Sequence, residues 1–343
     1  QVTILPADTT GYSDGFGDPM GYNSTFVVRA LPGIRSEGGG YTQPQLLFIN
    51  DFANRGGENE WYTALNNIGL LVDDDYDVYY VNGPSSGVGN GIGGRSNDLM
   101  LAGYSDIMYT SGDLGVNTIA NGDFQNDAGD DVGVLINWLD QGGKDIFLTG
   151  DDLGSDMAQA GTVTLQFLED YMGITVSTQN IRPFIGNQTT PRVDVVPGNP
   201  VWLPSGTLDH WIAFGGCFGI NTFDGVLPFG GGQRIAEFVD PTGAGYTFSA
   251  AALNLGVGQQ ATSRVLSMPY DLMYVYTDPS ETDQLSARAR LLRDVLEYFG
   301  IQGDGQNVSG VGDVQKIAFA TSNYPNPFNP STTIKYSMPK AGH

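Results

Sequence analysis

The sequence predicts an α/β protein with a doubly wound, mostly parallel sheet and an added antiparallel β region. Three observations carry that prediction. Short apolar runs alternate with amphipathic segments from Gln45 to Tyr171, which is the pattern of strands joined by crossover helices. The first run, Leu46-Leu47-Phe48-Ile49-Asn50-Asp51, is continuously apolar and ends in an acid, as a strand buried on both faces does. From 175 to 262 glycine and proline recur and helical periods vanish, so this stretch reads as short strands joined by turns.

Residues 1–44 hold many turn formers, including the Gly38-Gly39-Gly40 run, around one strand-like segment, Tyr22 to Ala30. That segment resembles the late strand of a fibronectin type III domain, with an aromatic, alternating apolar residues and an Arg-Ala pair. After the first apolar strand, Glu58 to Leu70 places Trp61, Leu65 and Ile68 at near-helical spacing and stops at Gly69. Strands are expected at Tyr76 to Val81, Ser105 to Thr110 and Lys144 to Thr149, with a Gly-rich loop from Gly83 to Gly94. Asp130 to Leu139 reads as a helix with Val134, Ile136, Trp138 and Leu139 on its apolar side, closed by Gly142-Gly143. Val163 to Tyr171 is the next helix. Within the antiparallel region, Arg234 to Val239 and Thr247 to Leu255 are strand-like; Arg264 to Met268 is again a buried strand, and Glu281 to Phe299 a helix closed by Gly300. A polar, Gly-rich linker follows at 302–316, and the shift in composition marks a domain boundary. The expected domains are therefore 1–44, 45–301 with a β-rich insertion at 175–262, and 317–343 beyond the linker.

The chain has 343 residues, with 38 acidic against 15 basic side chains and a formal net charge of -23. Such a field repels phosphate, so nucleic acid and anionic membranes are excluded as expected partners. It attracts cations, and acidic loops such as Asp73-Asp74-Asp75 and Asp151-Asp152 could bind calcium through hard oxygen ligands, although each run alone reads first as a solvated face. Cys217 is the only cysteine, which excludes an internal disulfide and cysteine-based metal centres; its apolar surroundings read as a buried packing site. No run reaches the ~20 apolar residues of a transmembrane helix, and Gln1 does not open a signal peptide, so the expectation is a mature or trimmed chain.

Near the C-terminus, Tyr324-Pro325-Asn326-Pro327-Phe328-Asn329-Pro330 continues into Ser331-Thr332-Thr333-Ile334-Lys335-Tyr336. These residues resemble, almost letter for letter, the opening of the C-terminal sorting domain of type IX secretion cargo, also described as a FlgD-like immunoglobulin domain. The prolines fix an extended lead-in and Thr332 to Ser337 alternates as a first strand. The resemblance implies export to the outer surface or medium of a bacterium, with secretion machinery as a partner. It implies nothing about activity.

The segment from Leu46 to Ile301 resembles a flavodoxin-like α/β domain of the class I amidotransferase type, as found in large secreted bacterial proteins. The residues that carry this are Ile49-Asn50-Asp51, the segment Asp145 to Gly154, the helix Leu165 to Gly173, and Arg264 to Tyr270. Amidotransferases of class I place a cysteine at a sharp strand-to-helix turn in a G-x-C-x-G pattern. Here that turn reads Gly150-Asp151-Asp152-Leu153-Gly154, with Asp152 in the cysteine's place. Thiol chemistry is excluded there, and Cys217, His210 and His343 lie elsewhere in the sequence.

In an open parallel sheet, ligands bind beyond the carboxyl ends of the strands. Asp51, Asn82, Ser111, Asp113, Asp151 and Asp152 are all expected along that edge. The candidate catalytic acids are Asp152, Asp151 and Asp51, because two carboxylates in unlike environments can divide the roles of acid and base. The candidate calcium ligands are Asp51, Asp113, Asp151 and Asp152. The competing reading makes Asp151-Asp152 the cap of the helix that follows. Asp209-His210-Trp211 reads as part of a packed strand, and Gly87-Val88-Gly89-Asn90-Gly91 lacks the lysine of a phosphate loop.

Two functions of different class follow. The first is a non-catalytic extracellular or cell-surface module for structure or adhesion, self-associating through edge strands into filaments or layers. It is indifferent to Asp152→Asn. The alternative is a secreted hydrolase of peptide or glycan that works through the strand-end carboxylates, which Asp152→Asn would inactivate.

Overall fold

The computed structural model describes residues 2–4, 26–28, 31–37, 40–53, 55–81, 90–122, 129–202, 208–214, 223–303, 322–324 and 333–335. Two compact units divide the chain, residues 1–305 and 306–343. Cys217, Asn82, most of the fibronectin-like segment and Pro325 to Pro330 of the sorting motif lie outside the described residues. In the second unit the described part is an antiparallel pair, Ser322–Tyr324 with Thr333–Lys335.

The first unit opens with two small antiparallel pairs: β1 (Val2–Ile4) with β2 (Phe26–Val28), and β3 (Arg35–Glu37) with β4 (Gly40–Thr42). A sheet of twelve strands follows. Its parallel part contains β5 (Leu46–Asn50), β6 (Tyr76–Tyr80), β7 (Asp106–Thr110), β8 (Asp145–Thr149) and β15 (Ser263–Met268). Counted among themselves, these five run in the spatial order 2-1-3-4-5. That is the doubly wound order with a switch point between the first and third strands, here β5 and β7.

Beyond β15 the sheet continues without a break but reverses its sense. β14 (Ser249–Val257) pairs antiparallel with β15, and β13 (Gln233–Phe238), β10 (Arg192–Val195), β11 (His210–Ala213) and β16 (Val275–Tyr276) extend the edge in that spatial order. β9 (Ile174–Thr178) and β12 (Gly225–Pro228) branch from β14. Four pairings are parallel and seven antiparallel. The expectation of a mostly parallel sheet is therefore corrected. The residues of 175–262 add strands to the same sheet, because β14 presents its free edge to β13 while its other edge is held by β15.

Helices cover both faces. α1 (Glu58–Asn67) and α7 (Ala287–Phe299) pack with Leu46, Phe48, Met108, Phe147 and Leu266 in one core. On the other face, α4 (Asp131–Asp140) packs with Leu47, Ile49, Ile107, Tyr109, Ile146 and Leu148 in a second core, behind the short helices α2 (Ile92–Arg95) and α3 (Asp98–Leu101). Alternate residues of one strand thus feed opposite cores, as the two-residue period of a strand requires. Each such Leu, Ile or Phe contributes about 1.5–3 kcal/mol by leaving water.

Local signals explain the helix ends. The Asp130 carboxylate accepts the Gly133 N–H at 2.8 Å and caps α4. Val132 and Leu135 take the fully buried positions of that helix together with Trp138 and Leu139, whereas Val134 and Ile136 are half-buried. α7 begins at Ala287, later than the expected Glu281, because Ser286 caps it and Asp278 and Asp283 first fold the preceding chain into turns. Gly300 closes it at φ 100°. Trp211 of β11 is fully buried and its indole N–H donates to Tyr270 Oη at 2.7 Å, which agrees with a packed strand around His210.

Candidate functional site

The carboxyl ends of β5, β7 and β8 are tied together before any loop begins. The backbone N–H of Ser111 donates to Thr149 O at 3.0 Å, that of Asp51 to Thr110 O at 3.1 Å, and that of Asp151 to Gly112 O at 2.9 Å. Below them, the fully buried Asp271 carboxylate accepts from Thr149 Oγ1 at 3.0 Å, from Trp61 Nε1 at 3.2 Å, from the Met273 N–H at 2.8 Å and from Thr110 Oγ1. Burial raises its pKa while those hydrogen bonds oppose the rise. Above them, Arg55 Nε pairs with Asp113 Oδ1 at 2.7 Å, and its Nη2 donates to Ser111 O at 3.2 Å and to Asp51 O.

β8 then turns sharply into α5 (Leu153–Ala160) through Gly150, Asp151 and Asp152. Gly150 permits a close approach: a Cβ there would lie 1.8 Å from Ser111 Oγ. Asp152 has φ 49° and ψ 14°, in the left-handed region that residues other than glycine, asparagine and aspartate seldom enter. Its carboxylate makes no capping hydrogen bond to α5. The expected capping role of Asp151-Asp152 is thus corrected. With the backbone in this conformation, the donors of the first turn are served from a distance by Asp224, which accepts the Ser155 N–H at 2.7 Å, the Ser155 hydroxyl, and the Gly154 N–H.

Asp152 instead lines an open cleft of about 460 Å³. The turn before α5 contributes Asp152 to its wall, α5 itself Ser155, Asp156 and Gln159, and the loop after β7 Asn117 and Asn121. α6 (Thr162–Gln166), which runs on into a π-helical turn at Phe167–Tyr171, follows α5 directly. Asp156 is fixed by the Thr118 N–H and Oγ1, at 2.8 and 2.9 Å.

Three acids around this turn have pKa values raised above the usual carboxylate range. Burial pushes Asp151 up to about 8, helped by the charges of Asp152, Asp224 and Asp113. Burial pushes Asp224 up to about 7 against its hydrogen bonds to Ser155. Asp152 is raised by burial and by the charge of Asp156. Carboxylates displaced toward neutrality in a cleft can give and take protons near pH 7.

The structure brings Asp151 and Asp152 together and keeps Asp51 fully buried beneath the neighbouring strand end. The four acids expected to bind calcium do not form a coordinating set. Among the described residues no three His, Cys, Asp or Glu side chains are grouped to hold a metal. Asp113 is paired with Arg55. Sequence reasoning missed Asp224, Ser155 and Asp271. Asp271 was within reach of the strand-end rule, since it follows the end of the last parallel strand, Met268, by three residues; Asp224 carries no signal in the linear sequence.

No family profile matches the chain, and no curated protein matches it in sequence. Among solved structures, the chain is similar to a cytoplasmic protein from Salmonella typhimurium at 12% identity and a TM-score of 0.46, covering 74% of this chain and 98% of that one. It is similar to a protein described as ThuA-like from Bacteroides uniformis at 9% identity and a TM-score of 0.40, covering 75% and 91%. A carbohydrate deacetylase matches at 10% identity and a TM-score of 0.37; 74% of this chain is covered, and the match spans 31% of the deacetylase. At these scores no activity passes from those proteins to this one. Among the described residues no helix is long and apolar enough to cross a membrane.

Proposed function

We propose that the cleft beside Asp152 is a hydrolytic site that works through carboxylates, on peptide or glycan. The observation that carries this reading is the release of Asp152 from capping. It occupies a left-handed backbone conformation that costs energy, and its carboxylate faces a polar cleft while Asp224 does the capping. In this reading Asp152 orients and deprotonates an attacking water, and the mostly neutral Asp151 keeps a second negative charge away from it. The same turn supports an amidotransferase-like ancestry of the α/β domain, with an acid where the thiol nucleophile stands in that family. A panel of ester, amide and glycoside substrates tests the site. Asp152→Asn should lower turnover at least 100-fold with melting unchanged, and full turnover in that variant would refute it.

A structural or adhesive module is the second reading. It is favoured by the open edges of the branched twelve-stranded sheet, among them β16, which pairs only with β11, and β9, which pairs only with β12, among the described residues. Light scattering decides it: ordered polymers at neutral pH support this reading, and a monodisperse monomer opposes it. Under either function we propose export, supported by the segment from Tyr324 to Tyr336. Removal of residues 317–343 should then retain the protein in the producing cell, whereas unchanged export would remove the role of that segment.

A further inference from the structure

We propose that Ser155 is a nucleophile for acyl transfer and Asp224 the base that takes its proton, so that the substrate of the cleft is a carboxylic ester or amide. This rests on the hydrolytic reading of the same cleft. Ser155 lines the cavity yet is only 6% exposed, and its hydroxyl is not spent on its own helix backbone but donates to Asp224. A serine hydroxyl becomes a competent nucleophile when a neighbouring base is fixed against it. Asp224 is so fixed, because the Ser155 and Gly154 N–H groups hold the carboxylate, and it lies fully buried. Gln159 Nε2 donates to Ser155 O at 2.9 Å and stiffens the same turn. Gln159 lies one turn after Ser155 on the same helix face, and Asp152 stands in the turn just before α5.

The step balances without a co-reactant. Ser155 Oγ adds to the acyl carbon as its proton passes to Asp224. The tetrahedral adduct collapses, the leaving alcohol or amine takes that proton, and an acyl-serine remains. Water then attacks the acyl carbon, Asp152 accepts the water proton, and that proton is returned to Ser155 Oγ as the acid departs.

The test is a fluorophosphonate probe followed by intact mass and peptide mapping of the full chain. Ser155 Oγ would displace fluoride from phosphorus, giving one adduct on Ser155 and none in Ser155→Ala. Labelling should fall about tenfold per pH unit below about 7, where Asp224 becomes protonated. The pH profile tests Asp224 without mutating it, since Asp224→Asn also weakens the cap of α5. No adduct on Ser155, or equal labelling at pH 5 and pH 8, would overturn the proposal. Turnover separates the two readings. Loss in Asp152→Asn with full activity in Ser155→Ala sinks the serine nucleophile and leaves the hydrolytic cleft. Labelling of Ser155 without any Asp152-dependent turnover does the reverse.

Discussion

Asp224 accepts the backbone N–H of Ser155 at 2.7 Å, and so performs from a distant strand the capping that Asp152 does not perform within its own turn. Asp224 directly precedes β12 and lies sixty-nine residues after Ser155. The bond therefore fastens the antiparallel part of the sheet to the start of the helix that forms the cleft wall. Asp224→Ala would leave two backbone donors and a hydroxyl buried without an acceptor, at about 1–3 kcal/mol for each unpaired group before relaxation. We expect a total loss of about 2–4 kcal/mol in urea unfolding, with Asp224→Asn closer to wild type because its carbonyl oxygen still accepts. An alanine variant as stable as wild type would show that water takes over the cap.

The turn itself offers a prediction of opposite sign. A non-glycine residue in the left-handed region costs about 1–2 kcal/mol, less for an acid that tolerates it, and glycine escapes most of this. Asp152→Gly should accordingly stabilise the fold by about 0.5–1 kcal/mol while removing the proposed catalytic carboxylate. Chemical denaturation of wild type and variant checks it. A destabilised Asp152→Gly would mean that the side chain anchors the turn by contacts beyond its backbone geometry.

Asp271 is the buried knot beneath the site. Its carboxylate receives two threonine hydroxyls from the ends of β7 and β8, the Trp61 indole and the Met273 N–H. Truncation to alanine strands these donors in a space without water, so a loss of about 3–5 kcal/mol is expected, at the upper end for a single substitution. Asp271→Asn supplies one acceptor oxygen and should recover part of it. Equal effects of the two variants in thermal unfolding would argue that packing, not hydrogen bonding, is what Asp271 provides.

Much of the parallel part of this fold was legible because its strands are buried on both faces and so read as unbroken apolar runs, Leu46 to Ile49 and Ile146 to Leu148 among them. The antiparallel extension was legible as β-rich but not as part of the same sheet. Short strands such as Arg192–Val195, with mixed burial, state that they pair and not with whom. The strand-end rule found Asp151 and Asp152. The capping reading gave Asp152 the wrong role, because the sequence shows an acid before a helix but not the left-handed φ at which its carboxylate makes no capping bond. Ser155 was hidden for a related reason, since its partner Asp224 lies sixty-nine residues further on.

Gly150 and Ser111 form a steric pair at the sharp turn. An added Cβ at Gly150 would sit 1.8 Å from Ser111 Oγ and 3.1 Å from its Cβ. Gly150→Ala should destabilise by about 1–3 kcal/mol through overpacking. The hydroxyl oxygen is the closer obstacle, so Ser111→Ala in the same chain should restore at least half of that loss. A double-mutant cycle measures the coupling; additive effects would place the strain in the backbone and not between these two side chains.

The raised acids impose a pH dependence whose sign follows from proton linkage. Asp151 titrates near 8 and Asp224 near 7 in the folded chain, both above the usual carboxylate value of 3.8. Between these values the folded state binds more protons than the unfolded chain, so stability falls as pH rises. The contribution is fully present below about 3.8, declines through the neutral range and is lost once pH passes about 8. Other carboxylates with lowered pKa, such as Asp240 and Asp278, act in the opposite direction but only at acid pH. Asp151→Asn removes the larger of these two shifts without changing shape. At about 1.4 kcal/mol per unit, its gain over wild type should grow with pH to a few kcal/mol at pH 8 and shrink toward nothing near pH 4. Unfolding curves at pH 5, 6.5 and 8 measure this directly. A gain that stays constant over that range would mean that Asp151 is charged throughout, and that its burial is offset by solvent from the cleft.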